Sequence, residues 1–360
     1  MKIYQNLEFT YSNNSFNRKI VCAKINKILS LSKIYLMSTI DKINAPIKKE
    51  MQEFEPFFRS TLKSKVTLLD LITNYVIRRK GKQIRPIFVF LSAKLNGEIN
   101  HSTFVAATMI ELVHTATLIH DDIVDEAYER RSVFSINALW KNKISVLIGD
   151  YFLSKGLLLA TNEKEYGLLE IMAEAVREMS EGELIQIEKS RNLKITEDIY
   201  FDIIRKKTAA LISSCTASGA KSVNVSPELL SKMKLFGEYA GIAFQIKDDL
   251  FDYQKKNLIG KPIANDIKEK KLTLPLIYSL SKSSTSEQKR ILHIIKNHNK
   301  DAKKVAEVID FVFEKGGMDY TVKIMNLYKD KALDILAEFP ENEAKQSLAI
   351  LVNYIVERDK

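Results

Sequence analysis

LIHDDIVDEAYERR, Leu118 to Arg131, places two adjacent aspartates, a third close behind them and a pair of arginines directly after an apolar run. Asp121 and Asp125 are four apart, so on a helix they share one face about a turn apart. FQIKDDLFDYQ, Phe244 to Gln254, repeats the spacing with Asp248, Asp249 and Asp252. One such cluster alone would more often be a solvated acidic face. Two clusters, each behind an apolar segment (HTATLI and AGIAF) and each with arginine or lysine nearby, shift that reading. Carboxylate pairs that face each other repel unless a cation lies between them. Hard oxygen ligands suit Mg²⁺, which keeps waters and takes one or two carboxylates together with phosphate oxygens. The two clusters therefore read as a clamp for a diphosphate held through Mg²⁺. A calcium store would not need the arginines.

Working outward, 12 glycines and 7 prolines punctuate 360 residues, and Leu, Ile, Lys, Glu and Ala abound, which favours long helices over sheets. One helix is expected over roughly 102–127, opened by a Ser102 cap. Another begins near Thr196, with Glu197 and Asp198 suited to its first turn, and stops at Gly219. A third opens at Ser226-Pro227-Glu228, where Gly237 and Gly241 let another group approach closely. Residues 257–275 read as a loop bracketed by Gly260-Lys261-Pro262 and Pro275. No composition break divides 40–360, so a single large all-α bundle is the simplest architecture.

No run approaches the length of apolar chain that spans a membrane, and the expectation is a cytoplasmic protein without a transmembrane segment. Cys22 and Cys215 make neither a disulfide framework nor a metal motif. The net charge of +10 invites a nucleic-acid reading, but half of that surplus sits in residues 1–36, with six Lys and Arg against one Glu. No basic stripe follows it, which argues against nucleic acid as a partner. A modest positive surplus equally attracts a phosphorylated small molecule. The tail reads as a disordered or upstream-start extension, with organellar targeting as the alternative, and 37–360 as the catalytic domain.

Several further stretches occur in order: GKQIRP (81–86), ELVHTATLIHDDIVDEAYERR (111–131), LIGDYFLSKG (147–156), EGELIQIE (181–188), KKTAAL (206–211), FQIKDDLFDY (244–253) and IGKPIANDIKEKKLTLPL (259–276). Together they make the chain resemble a trans-type isoprenyl (polyprenyl) diphosphate synthase, whose two DDxxD motifs lie on facing helices. The resemblance implies an all-α bundle of the isoprenoid synthase type with a central cavity. It implies head-to-tail transfer of an allylic diphosphate onto isopentenyl diphosphate, with Mg²⁺ as cofactor, three ions once the diphosphate is bound, and a homodimer. The enzyme has to neutralise a leaving group of several negative charges and shield a cation from water.

By that resemblance, Asp121 and Asp125 bind Mg²⁺ on the allylic diphosphate and Asp248 binds a further ion, with Asp122, Asp249 and Asp252 as motif neighbours. Arg130, Lys207 and Lys261 match positions that hold the allylic diphosphate. Lys82, Arg85, His114 and Arg131 match those that hold isopentenyl diphosphate. Arginine's planar fork suits phosphate oxygens, so Arg130 and Arg131 divide between the two substrates. Thr208 and Gln245 match positions whose oxygens lie near the developing cation, making Lys207, Thr208 and Gln245 the catalytic candidates. Lys271 matches a basic position in a segment that reads KKLTLP here, where the family has a glycine and a further proline. Glu183 and Gln186 fall within a matching motif without an assigned role.

Product length depends on what lies behind the first cluster. Ala116 and Thr117 precede Asp121 by five and four residues, roughly 6–8 Å back along the helix. Short-chain members carry a bulky aromatic there. The small pair here, with Val113 and Met109 deeper and Leu147, Gly149, Phe152 and Leu153 on the next helix, points to a long product of octaprenyl size, as in quinone side chains. The alternatives are a short-chain farnesyl or geranylgeranyl synthase, a terpene cyclase, or a non-catalytic subunit of a heteromeric synthase. A cyclase needs no second-substrate site, and a non-catalytic subunit is expected to have lost an aspartate motif.

Overall fold

The computed structural model describes residues 38–78, 81–130, 133–253 and 264–358. Met1–Ile43 and Asn44–Lys360 are separate compact units. The described part of the first, residues 38–43, holds all but the last residue of a short helix, α1 (Thr39–Asn44), whose start is closed by Ser38 donating to Asp41 Oδ2 at 2.8 Å. The expected extension over 1–36 lies outside the described residues.

In the second unit a 3₁₀ turn (Ala45–Ile47) leads into α2 (Lys48–Thr61), α3 (Thr67–Ile77), α4 (Ile84–Asn96) and α5 (His101–Val124). A hairpin of two short antiparallel strands, β1 (Glu129–Arg130) and β2 (Val133–Phe134), then passes into α6 (Ile136–Asn162). After α7 (Tyr166–Asn192) and α8 (Glu197–Ile204) the chain takes a π-helical stretch (Arg205–Ala209) before α9 (Ala210–Ser222) and α10 (Pro227–Phe251). A one-turn α11 (Asn265–Lys268) and five more helices follow: α12 (Leu274–Ser281), α13 (Thr285–Asn297), α14 (Ala302–Glu314), α15 (Gly317–Ala337) and α16 (Glu343–Glu357). The all-α expectation holds, with the hairpin as a small addition that no strand alternation announced.

The sequence ALISSCTASGAKS makes α9 the centre of the bundle. Every residue of it except Lys221 is buried, and it packs against α4, α5, α7 and α10. Small side chains permit that crowding. A Cβ on Gly219 would stand 2.2 Å from the Val89 carbonyl oxygen of α4, and one on Gly237 of α10 would stand 2.2 Å from Thr216 Oγ1. The hydroxyls buried with the helix find carbonyls: Ser213 donates to Lys234 O at 2.6 Å and Thr216 to Met233 O at 2.7 Å. Each such bond cancels most of the cost of burying the hydroxyl. Gly219 is thus not a helix stop. It is where α9 touches α4, and the helix continues to Ser222.

Thr196 and Ser226 do cap their helices, accepting from Ile199 N at 3.4 Å and Leu229 N at 3.3 Å. Ser102 does not. Asn100 is the cap residue of α5, with its amide donating to Thr103 Oγ1 at 3.3 Å, while Ser102 donates to Glu165. Both α5 and α6 are long and apolar enough to cross a membrane by length and composition alone, which does not amount to a clear span. Of the apolar window of α5, 61% is buried inside the fold, where it packs on α6, α4 and α9. A core helix of a water-facing bundle has that profile too.

Candidate active site

The first aspartate cluster closes α5. Asp121 and Asp122 stand in its last turn, and Asp125 follows as the C-cap, its amide donating to Asp121 O at 2.8 Å. Asp122 O accepts from Ala127 N at 2.9 Å and from Asn137 Nδ2 at 3.1 Å, so the start of α6 fixes how the chain leaves the helix. Asp122 is buried, Asp121 half-buried and Asp125 exposed. The two that are not buried, Asp121 and Asp125, are the ones that the motif assigns to a cation.

The second cluster repeats this placement at the end of α10, with Asp248 and Asp249 in the last turn and Asp252 as the C-cap. Helix C-termini carry negative partial charge, and neither α5 nor α10 has a basic residue in its last turn. Carboxylates four apart on one face add their own repulsion. The sequence has twice put anions where a helix disfavours them, a cost that a bound cation relieves.

Lys271 links the two clusters. It pairs with Glu269 at 2.5 Å and lies within electrostatic reach of Asp125 from the first cluster and of Asp266, whose amide donates to Asp252 Oδ2 at 2.5 Å. Burial works against the Lys271 ammonium, but Glu269, Asp125 and Asp266 hold its pKa above the ordinary lysine value. Burial pushes the Asp249 carboxyl up to about 7, against hydrogen bonds from Tyr200 and Gln245 that favour its charge. Asp266 is raised well above the usual carboxylate range, by burial first and then by Asp249 and Asp252.

The π-helical stretch supplies the lysine and the hydroxyl. Its extra residue accommodates α7, where a Cβ on Gly182 would meet Lys207 N at 2.8 Å. Lys207 forms an ion pair with Glu183 and donates to Gln186 Oε1 at 3.4 Å, which gives the EGELIQIE motif its work. Thr208 Oγ1 donates across to Gln245 Oε1 at 2.7 Å. Lys207, Thr208, Gln245, Asp249, Asp266 and Lys271 all line one cavity of about 130 Å³. Three sequence-predicted catalytic residues therefore meet at a single cavity.

On the other side, Lys82 is exposed, donates to Tyr354 Oη at 2.6 Å and lies over that ring at 5.2 Å. Gln83 next to it holds a left-handed backbone (φ 51°), an uncommon conformation for a non-glycine residue that tends to mark functional loops. Arg85 and His114 are half-buried on α4 and α5. Just past the end of α16, Arg358 reaches Asp248 Oδ1 at 2.5 Å while stacking over Phe244 at 4.3 Å. The C-terminal residues thus touch both a predicted substrate lysine and a predicted metal ligand. The side chain of Arg130, and Arg131 and Lys261 entirely, lie outside the described residues.

The chain-length candidates sit apart from that cavity. Ala116, Val113, Met109 and Phe152 are fully buried between α5 and its neighbours, and Thr117 and Leu153 are half-buried. Gly149 is pressed against His120, whose ring nitrogen would stand 2.1 Å from an added Cβ. Leu147 is 56% exposed, so it faces outward and lines no interior path.

Among the described residues, no three carboxylate, imidazole or thiolate side chains converge as a closed metal cage. The donor set suits instead a cation that takes one or two carboxylates and completes its shell with water and phosphate oxygens, as Mg²⁺ does. Asp121, Asp125 and Asp248 would hold it, and bound there it would act as a Lewis acid on phosphoryl oxygens.

A helical bundle with a lysine-lined cavity beside an acidic helix end fits the isoprenoid synthase architecture that the resemblance implied. The chain belongs to the polyprenyl synthetase family, whose model matches residues 66–312. It is 34% identical over 319 residues to the all-trans-nonaprenyl-diphosphate synthase (geranyl-diphosphate specific) of Rhodobacter capsulatus, covering 88% of this chain and 97% of that one. It is 31% identical to the octaprenyl diphosphate synthase of Escherichia coli strain K12, covering 89% and 99%. In structure it resembles a decaprenyl diphosphate synthase from R. capsulatus with a TM-score of 0.84 at 32% identity, covering 88% and 98%.

Proposed function

We propose that the protein condenses isopentenyl diphosphate with an allylic diphosphate, head to tail and in trans geometry, to make a long-chain polyprenyl diphosphate for quinone side chains. The observation that carries this reading is the meeting of Lys207, Thr208 and Gln245 on a cavity beside one of two acidic helix ends. Asp121, Asp125 and Asp248 would hold Mg²⁺, which would supply Lewis-acid stabilisation to the pyrophosphate leaving group. Arg130, Lys207 and Lys261 grip the allylic diphosphate, while Lys82, Arg85, His114 and Arg131 place isopentenyl diphosphate for attack by its double bond. Residues 37–360 are the catalytic domain, acting in the cytoplasm.

The deciding experiment is incubation with Mg²⁺, labelled isopentenyl diphosphate and a panel of allylic primers, followed by chain-length analysis. Incorporation into long-chain products is expected. No incorporation with any primer would leave a non-catalytic subunit of a heteromeric synthase as the better reading, although both aspartate motifs are intact.

A homodimer completes this reading. Leu139, Val146, Leu147, Leu157 and Leu158 are all exposed on α6. A second copy burying such a face is the common isologous solution. Sedimentation should report a dimer, and Leu147→Glu with Leu158→Glu should shift it to monomer. A wild-type chain that sediments as monomer at micromolar concentration defeats this part.

A further inference from the structure

Tyr200 lies outside every motif that pointed to a diphosphate site, yet its side chain reaches the centre of that site. It is 3% exposed on α8, lines the same cavity, and donates its hydroxyl to Asp249 Oδ2 at 2.7 Å. Asp249 Oδ1 accepts from Gln245 Nε2, also at 2.7 Å. Gln245 Oε1 in turn accepts from Thr208 Oγ1 at 2.7 Å. Four side chains from three segments thus form one directional chain of hydrogen bonds.

The direction follows from the chemistry of the groups. Both Asp249 oxygens accept, one from a phenol hydroxyl and one from an amide nitrogen, and an amide presents its oxygen on the side away from its nitrogen. Asp249 therefore holds the Gln245 amide with its nitrogen inward and its oxygen toward Thr208. Thr208 gives its proton to that oxygen, which leaves its own lone pairs for the cavity. A cation forming there meets the negative ends of preorganised dipoles. If the amide turned over, its N–H would face Thr208 and the threonine proton would be released toward the cation. Both dipoles would reverse together.

We propose that Tyr200 is a positioning residue for prenyl transfer: by occupying Asp249 Oδ2 it keeps the carboxylate set to receive the Gln245 amide, and so keeps the Gln245 and Thr208 oxygens turned to the reacting carbon. This rests on the reading of Thr208 and Gln245 as the cation-facing pair. The interaction gains strength only as positive charge develops, so its loss belongs in kcat and not in KM.

Tyr200→Phe removes one oxygen and retains the ring that packs on Phe201 at 5.3 Å. In the full-length enzyme with Mg²⁺ and both substrates, kcat should fall about tenfold, the scale of one hydrogen bond to a charged acceptor. KM for each diphosphate should stay within about twofold of wild type. An ammonium analogue of the allylic cation should bind about tenfold more weakly, while an unreactive thio-diphosphate analogue binds as before. In a Gln245→Ala background, where no amide remains to be oriented, Tyr200→Phe should cost less than about twofold more.

Unchanged kcat and unchanged ammonium-analogue binding in Tyr200→Phe would overturn the proposal. So would an equal loss in the Gln245→Ala background, or equal weakening of both analogues, since either marks a purely structural effect. If Gln245→Ala alone leaves kcat intact, the cation-facing reading itself fails and takes the proposal with it.

Discussion

Asp121→Ala is expected to lower kcat by about a thousandfold or more with every allylic primer, since a metal acting as a Lewis acid contributes several kcal/mol and about 4 kcal/mol corresponds to that factor. Asp121 is half-buried in the last turn of α5, one turn from the exposed Asp125. Both carboxylates stand at the negative end of a helix whose last turn has no basic residue. Removing one leaves a single carboxylate to hold a hard cation against water, and the pyrophosphate then departs without its charge being met. The Mg²⁺ concentration needed for half-maximal residual activity should rise as well. Steady-state kinetics across a Mg²⁺ titration, with unfolding temperature as the check on folding, measures both effects. A fully active variant would sink the clamp. Asp122→Ala makes the contrast, because the Asp122 side chain is buried, so its loss should show more in stability than in metal dependence.

How much of this was legible beforehand differs from residue to residue. The aspartate spacing could be read because a period of four on a helix is a local property, and the structure sets both clusters in the last turns of α5 and α10. The Ser226-Pro227 start could be read for the same reason. Gly219 misled because a glycine that ends a helix and one that admits a neighbouring backbone look identical in sequence, and only the approach of Val89 separates them. The role of Glu183 and Gln186 had a signal in the EGELIQIE motif, but the partner, Lys207, lies on another helix. Tyr200 and Arg358 had less. Each acts through one long-range contact, to Asp249 and to Asp248, and no local pattern encodes that.

Ala116→Phe is expected to move the main product from long-chain to short-chain diphosphates while turnover survives. Ala116 is fully buried five residues before Asp121, roughly 7.5 Å back along α5 at 1.5 Å per residue. A chain that grows from the aspartates into the bundle must pass that level, beside Val113 and toward Phe152 on α6, which are also buried. A phenyl ring there puts a floor across the path without touching a group that holds either diphosphate. If the site were ordinary packed core, the same ring would overpack it, at about 1–3 kcal/mol, and would lower the unfolding temperature without shortening anything. The two readings therefore separate in one experiment: chain-length analysis of the products beside thermal unfolding of the ligand-free protein. Shorter products from a folded variant support a path past Ala116. Products of wild-type length from a destabilised variant would remove Ala116, and Thr117 beside it, from control of chain length, leaving Phe152→Ala as the next position at which a longer product should appear.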